Sequence, residues 1–237
     1  MSKLEGKRCL LTGATGGLGE ELSRELESLG CRLFLTGRSA QCLEALAGRL
    51  ARGVEAAYRV PADLAVDADV ERLIACVVER MGGIDVLVNN AGVFPVGPLA
   101  SLSDVELDDC LRVNLKAAIV LSRAFTPAMA EAGWGRVVNI ASSSAYAGFA
   151  DTAAYCASKH GLLGFSRALD DELRGRGVRV AAISPGSIQT PMGRRVRGQS
   201  YDTFMSPREV AQVVGTIVSL DGSLIVNELR LSRMVMA

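Results

Sequence analysis

The sequence predicts an α/β protein, a doubly wound parallel sheet of seven strands with helices on both faces. Three observations predict it. Short apolar runs alternate with amphipathic helical stretches along the chain. A glycine-rich turn joins the first apolar run to the first helical one. The chain has 237 residues, 49% of them hydrophobic, enough for one sizeable core. Strands alternating with helices require right-handed crossovers and therefore a parallel sheet.

The first strand is expected at 8–12, where Arg8-Cys9-Leu10-Leu11-Thr12 reads as a short buried run. It enters Gly13-Ala14-Thr15-Gly16-Gly17-Leu18-Gly19. A helix over 17–29 follows, marked by Leu18, Leu22, Leu26 and Leu29 and closed by Gly30. Strand, glycine turn and helix N-terminus make a phosphate cradle of Rossmann type. Glycine admits close backbone approach, and free N–H groups with the helix dipole favour a pyrophosphate. Further strands are expected at 32–36, 54–59, 84–89, 135–141, 178–184 and 224–230. Helices are expected at 40–51, 67–81, 104–131 (broken near Pro127), 152–174 and 207–219. No linker, repeat or low-complexity segment divides the chain, so 1–237 reads as one dinucleotide-binding catalytic domain.

Tyr155-Cys156-Ala157-Ser158-Lys159 carries the chemistry. On a helix the phenol and the ammonium share one face, one turn apart. A tyrosine hydroxyl titrates near ~10, and a close cation lowers that value. At about 4 Å and an effective dielectric of ~20 the pair is worth on the order of 4 kcal/mol, or about three pKa units. Tyr155 is thus a candidate proton donor and acceptor for an alcohol or carbonyl oxygen. Cys156 faces elsewhere on such a helix, and His160 reads as a packing or interface residue.

Together, Thr12-Gly13-x-x-x-Gly17-x-Gly19 and Tyr155-x-x-x-Lys159 resemble the short-chain dehydrogenase/reductase family in its short single-domain form. Four more motifs follow in the family's order: Asn89-Asn90-Ala91-Gly92, Asn114, Ser142, and Pro185-Gly186-x-x-x-Thr190. The resemblance implies a sheet ordered 3-2-1-4-5-6-7. It implies Tyr155 as general acid for reduction and base for oxidation, with Lys159 lowering its pKa and holding the nicotinamide ribose. Ser142 would donate to the substrate oxygen, with Ser143 or Ser144 as the alternative, and Asn114 would anchor a relay water. Gly13, Thr15, Gly17, Leu18, Gly19, Asn90, Ala91, Gly92, Tyr155, Lys159, Pro185, Gly186, Ile188 and Thr190 would hold the cofactor, Ile188 through its backbone. Asp63-Leu64 looks like the family's adenine-contacting pair.

The end of the second strand bears on the cofactor. An acid there would bind the ribose 2′-hydroxyl of NAD, whereas an arginine accommodates the 2′-phosphate of NADP. Gly37 occupies the acid's slot and Arg38-Ser39 follows, so NADP(H) is favoured over NAD(H). Gly16 departs from relatives that place a basic residue before the second motif glycine.

Composition excludes other classes. Lys+Arg and Asp+Glu both number 26, which gives no bias toward nucleic acid. No apolar run nears the ~20 residues that span a membrane, and Met1 to Gly6 holds no signal-peptide core. Six scattered cysteines and one histidine suggest neither metal nor disulfides, and suit a reducing cytoplasm.

The expected substrate is a small carbonyl compound or alcohol. The loop Pro191 to Met205 would receive it, with Met192, Tyr201, Phe204 and Met205 as an apolar wall and Tyr146 and Phe149 lining the pocket. Arg194, Arg195 and Arg197 form a basic cluster in that loop. Its shortness suggests an open site. The resemblance implies a homodimer or homotetramer through the long helices flanking the fifth strand. Two alternatives are reduction of 3-oxoacyl chains on a carrier protein and a non-catalytic dinucleotide-binding redox sensor. The C-terminal Asn227 to Met234 lacks the glycine-rich ending common in the carrier-protein reductases.

Overall fold

The computed structural model describes residues 4–51 and 57–234. Seven strands form its sheet: β1 (Arg8–Leu11), β2 (Arg32–Gly37), β3 (Ala57–Pro61), β4 (Val86–Asn89), β5 (Gly135–Ile140), β6 (Val178–Pro185) and β7 (Glu228–Leu231). Every pairing is parallel, in the order β3-β2-β1-β4-β5-β6-β7. The helices are α1 (Gly17–Ser28), α2 (Ala40–Gly48), α3 (Asp67–Met81), α4 (Asp104–Leu111), α5 (Ala117–Glu131), α6 (Ala153–Leu173) and α7 (Pro207–Ser219).

The two-residue period of the strands sorts the core into two layers. Cys9, Leu11, Leu33, Leu35, Val86 and Val88 face one side, under Leu22 and Leu26 of α1, Leu43 and Leu46 of α2 and Val210 and Val214 of α7. Leu10, Phe34, Val60 and Leu87 face the other, against Leu73 and Val77 of α3 and Leu121 and Phe125 of α5. Both faces are buried, which is why the strands read as unbroken apolar runs. Among the described residues no helix is long and apolar enough to cross a membrane.

The structure differs from the expectations at four places. Residues 54–56 of the predicted third strand lie outside the described residues, and that strand extends beyond 59 to Pro61. Helix α2 stops at Gly48 rather than 51, capped by Arg49. The helix expected over 104–131 is interrupted by a π-helical turn at Arg112–Lys116, not at Pro127. Pro127 sits inside α5 on its exposed face, where water can satisfy the carbonyl that the missing N–H leaves free. The π turn falls at Asn114, whose side chain is pulled into the site, a position where such widened turns recur. The last strand begins at Glu228, four residues late, because Arg179 holds the carbonyls of Leu220 and Leu224 ahead of it.

Candidate active site

The carboxyl ends of β1 and β4 are tied together by side chain and backbone. Thr12 Oγ1 accepts from the N–H groups of Asn90 and Ala91, each at 3.0 Å. Asn90 Nδ2 donates to the carbonyls of Thr12 and Gly13, again at 3.0 Å. Gly13 has φ +63°, and a Cβ there would lie 2.7 Å from Ala91 Cα. At Gly19 a Cβ would lie 2.1 Å from the Gly13 carbonyl oxygen. Glycine at these two positions lets the loop fold onto itself and onto the 89–92 turn. Thr12 is a site residue to which the sequence assigned no role; its place just before the first motif glycine was the available signal.

The end of the cleft expected to take the adenosine lies after β2. Gly37 leaves room there, since a Cβ would meet Thr15 Oγ1 at 2.9 Å. Arg38 is exposed at the cleft and has no hydrogen bond or ion pair with any described residue. Ser39 departs from its expected role. It lies outside the cleft lining, and its Oγ accepts from Cys42 N at 3.2 Å as the N-cap of α2. Asp63 and Leu64 line the cleft, and Asp63 Oδ1 accepts from Ala65 N at 3.0 Å.

The catalytic candidates converge between β5 and α6. Ser142 stands just past the end of β5, accepts from Ser144 N at 3.1 Å and has its hydroxyl beside the Tyr155 phenol. This selects Ser142 over Ser143 and Ser144 as the hydroxyl beside the tyrosine. Lys159 Nζ donates to the Ile140 carbonyl at 2.8 Å and lies 5.7 Å from the Tyr155 ring centroid. The ammonium is thus anchored to the backbone of β5, with Gly92 close beside it.

The charge states differ from those the sequence predicts. Burial pushes the Tyr155 phenol up to about 12, with the Ser142 hydrogen bond opposing, so Lys159 does not bring it down. Burial also lowers the Lys159 ammonium to about 8. Both groups are deeply buried, and desolvation outweighs an attraction spread over that separation.

Behind the pair, Asn114 Oδ1 accepts from Val93 N at 2.8 Å, and Nδ2 donates to Val93 O at 2.9 Å and Ser158 Oγ at 3.1 Å. Ser158 donates to the Tyr155 carbonyl at 2.7 Å. Asn114 therefore braces the Val93 turn against α6, and only a lone pair of Oδ1 remains for a relay water. Ser158 was named in the sequence without a function. Cys156 is buried outside the cleft lining with its Sγ 3.3 Å from Thr152 Oγ1, and His160 is exposed with Nδ1 against the Cys156 carbonyl (2.9 Å).

Gly13, Thr15, Gly17, Leu18, Gly19, Arg38, Asp63, Leu64, Asn90, Ala91, Gly92, Ser142, Tyr155, Lys159, Pro185, Gly186, Ile188 and Thr190 all line one cleft of about 730 Å³. The residues present fit a dinucleotide. A Cβ at Gly17 would press on Thr190 at 3.0 Å, so the cradle floor is bare backbone. The N–H of Ile188 has no partner among the described residues, while its carbonyl accepts from Thr190 N at 2.8 Å.

The substrate end is sparser than expected. Phe149 and Met192 line the cleft. Tyr146 does not, because its hydroxyl donates to Glu228 Oε2 of β7 at 2.9 Å. Phe204 is buried, Tyr201 packs on it with ring centroids 5.4 Å apart, and Met205 joins the core, so none of the three forms a substrate wall. Arg194 stacks over Tyr201 at 4.2 Å, while Arg195 and Arg197 reach the cleft rim.

The family model described as short chain dehydrogenase matches residues 7–200. The chain belongs to the short-chain dehydrogenase family. It is 38% identical to D-threitol dehydrogenase of Mycolicibacterium smegmatis, over 81% of this chain and 74% of that protein. It is 35% identical to a 3-oxoacyl-(acyl-carrier-protein) reductase of Pseudomonas aeruginosa, over 93% of this chain and 92% of that protein. A metagenomic short-chain oxidoreductase solved in complex with NADP superposes with a TM-score of 0.85 at 34% identity, over 99% of this chain and 100% of that one. As a short-chain dehydrogenase it is an NAD(P)-dependent oxidoreductase.

Proposed function

We propose that the protein, as one catalytic domain over 1–237, reduces the carbonyl of a small substrate with NADPH as the preferred cofactor. The observation that carries this reading is the buried Tyr155 phenol, beside the Ser142 hydroxyl, in the same cleft as the glycine cradle and Arg38. When bound, the nicotinamide dinucleotide supplies the hydride. Tyr155, held protonated, gives its proton to the carbonyl oxygen as that oxygen gains charge. Ser142 Oγ donates to the same oxygen and stabilises that charge. Lys159 places a positive charge under the site and has ammonium hydrogens to offer a ribose hydroxyl. Asn114 acts as a positioning residue for the turn that carries Gly92 and Val93.

The NADPH preference rests on Arg38 and Gly37. A guanidinium with no partner among the described residues is free to bind a 2′-phosphate bidentately. No acid stands at Gly37 to bind a free 2′-hydroxyl. Side-by-side titration with NADPH and NADH tests it. Arg38→Ala should weaken NADPH about tenfold or more and leave NADH unchanged. Equal binding of both cofactors before and after the change would overturn the preference.

Similarity to the Pseudomonas aeruginosa protein supports a second reading, reduction of a 3-oxoacyl chain on a carrier protein. A cytoplasmic homodimer or homotetramer is the assembly and location this proposal carries.

A further inference from the structure

We infer that the substrate carries an apolar arm of several carbons beside its reacting carbonyl, seated on Phe94, Phe149 and Met192. This rests on the carbonyl-reduction reading above. Phe94 meets the Tyr155 ring edge-on, with centroids 4.6 Å apart, so its apolar surface begins at the proton donor. Phe149 and Met192 line the same cleft, yet they are 51% and 37% exposed. Large apolar groups left open at a cleft are informative, because covering them is favourable and no described residue covers them.

The loop bearing Phe149 is held in place rather than loose. Two residues on, Asp151 adopts φ 61°, the one non-glycine residue at positive φ among those described. Its carbonyl accepts from Gly97 N at 2.9 Å, which ties this loop to the segment carrying Phe94. Its carboxylate faces Arg197 of the opposite loop at 3.8 Å. The apolar floor therefore has a charged outer boundary. A polyhydroxylated substrate would set its hydroxyls against Phe94, Phe149 and Met192 without partners, an unfavourable exchange. A hydrocarbon arm gains from each carbon until it reaches Asp151 and Arg197.

Alkyl ketones and 3-oxoacyl thioesters both present such an arm. The test measures kcat/KM for methyl ketones of increasing alkyl length, for 3-oxoacyl thioesters of matching lengths, and for a four-carbon polyhydroxylated ketone. The expected result is a rise of about two- to fourfold per methylene, then a plateau. A rise in one series alone also supports the arm, and assigns free ketone or thioester as its source. Phe149→Ser and Met192→Gln should each shrink the ratio of longest to shortest ketone measured within the same variant. A flat response in both series, or a better rate with the polyhydroxylated ketone, would overturn the apolar arm while leaving carbonyl reduction in place. Bound dinucleotide without turnover of any carbonyl would overturn both.

Discussion

Around the glycine loop the cleft wall is backbone; around Phe149 and Met192 it is side chain. The half proposed for the cofactor is assembled from turns that pack glycine against main chain, such as Gly19 against the Gly13 carbonyl. Thr12 and Asn90 then bond those turns to each other. The substrate half is assembled from loops that touch at few points, mainly Asp151 with Gly97 and Arg197. A backbone wall tolerates few residues at each position and admits one shape of ligand. A side-chain wall can be rebuilt without disturbing the fold, so one family can serve both a D-threitol dehydrogenase and a 3-oxoacyl reductase.

Removing the proton donor where the two halves meet should have the largest effect. Tyr155→Phe is expected to lower kcat by about 10²- to 10⁴-fold with cofactor affinity retained, read by steady-state kinetics and a binding titration. A variant that turns over at the full rate would separate the chemistry from this tyrosine.

Lys159 offers a pH test of the buried floor. Its folded pKa is about 8 against the ordinary 10.5, so the folded protein holds this proton less tightly than the unfolded chain. Unfolding takes up a proton between those values, and stability rises with pH through that window. Lys159→Met removes this slope. The variant's pH-dependent gain over the parent should reach about 3 kcal/mol below pH 8 and vanish toward pH 10.5. Urea titrations across pH 7 to 10.5 would show it. Tyr155, raised to about 12, contributes the opposite slope above pH 10, and does so in both proteins.

The backbone wall can be probed with two neighbouring glycines. At Gly19 an added methyl meets a carbonyl oxygen at 2.1 Å, so Gly19→Ala should cost roughly 1–3 kcal/mol and impair dinucleotide binding. Gly16 is the N-cap of α1 in extended conformation, and its Cβ would meet nothing nearer than 3.4 Å. Gly16→Ser should therefore be neutral or stabilise by a few tenths of a kcal/mol. Thermal melts of both, run together, decide whether close packing or mere presence in the motif matters.

Ser39→Ala should change stability alone. It removes the N-cap of α2 at about 1 kcal/mol, with NADPH affinity unchanged. A loss of affinity would return Ser39 to the cofactor site beside Arg38.

The alternation of strands and helices and the glycine cradle were legible because each depends on local signals: apolar runs of strand length, caps, and glycines between a strand and a helix; the order of the strands in the sheet was implied only by the family resemblance. The Tyr155 and Lys159 pair was legible because one helix face puts the two residues together, whereas Ser142 was implied by the resemblance with Ser143 and Ser144 left open. Charge states were not legible. The i,i+4 spacing suggested a lysine lowering a tyrosine, but it carries no information on how deeply both are buried. The apolar wall was misjudged for a similar reason: Phe204 and Met205 look alike to Met192 in sequence, and only packing sends two inward and one to the cleft. The bracing roles of Thr12 and Ser158 were hidden because their partners lie 78 and 44 positions away.

The chain alone therefore determined its layers, its sheet and the residue types available for chemistry, since periodicity and backbone freedom act within a few residues. Folding in three dimensions decided which hydroxyl faces Tyr155, that Lys159 is anchored to Ile140, and that Phe149 and Met192 stay open to a substrate. Those outcomes depend on desolvation and on distances between segments remote in sequence, which no local pattern encodes.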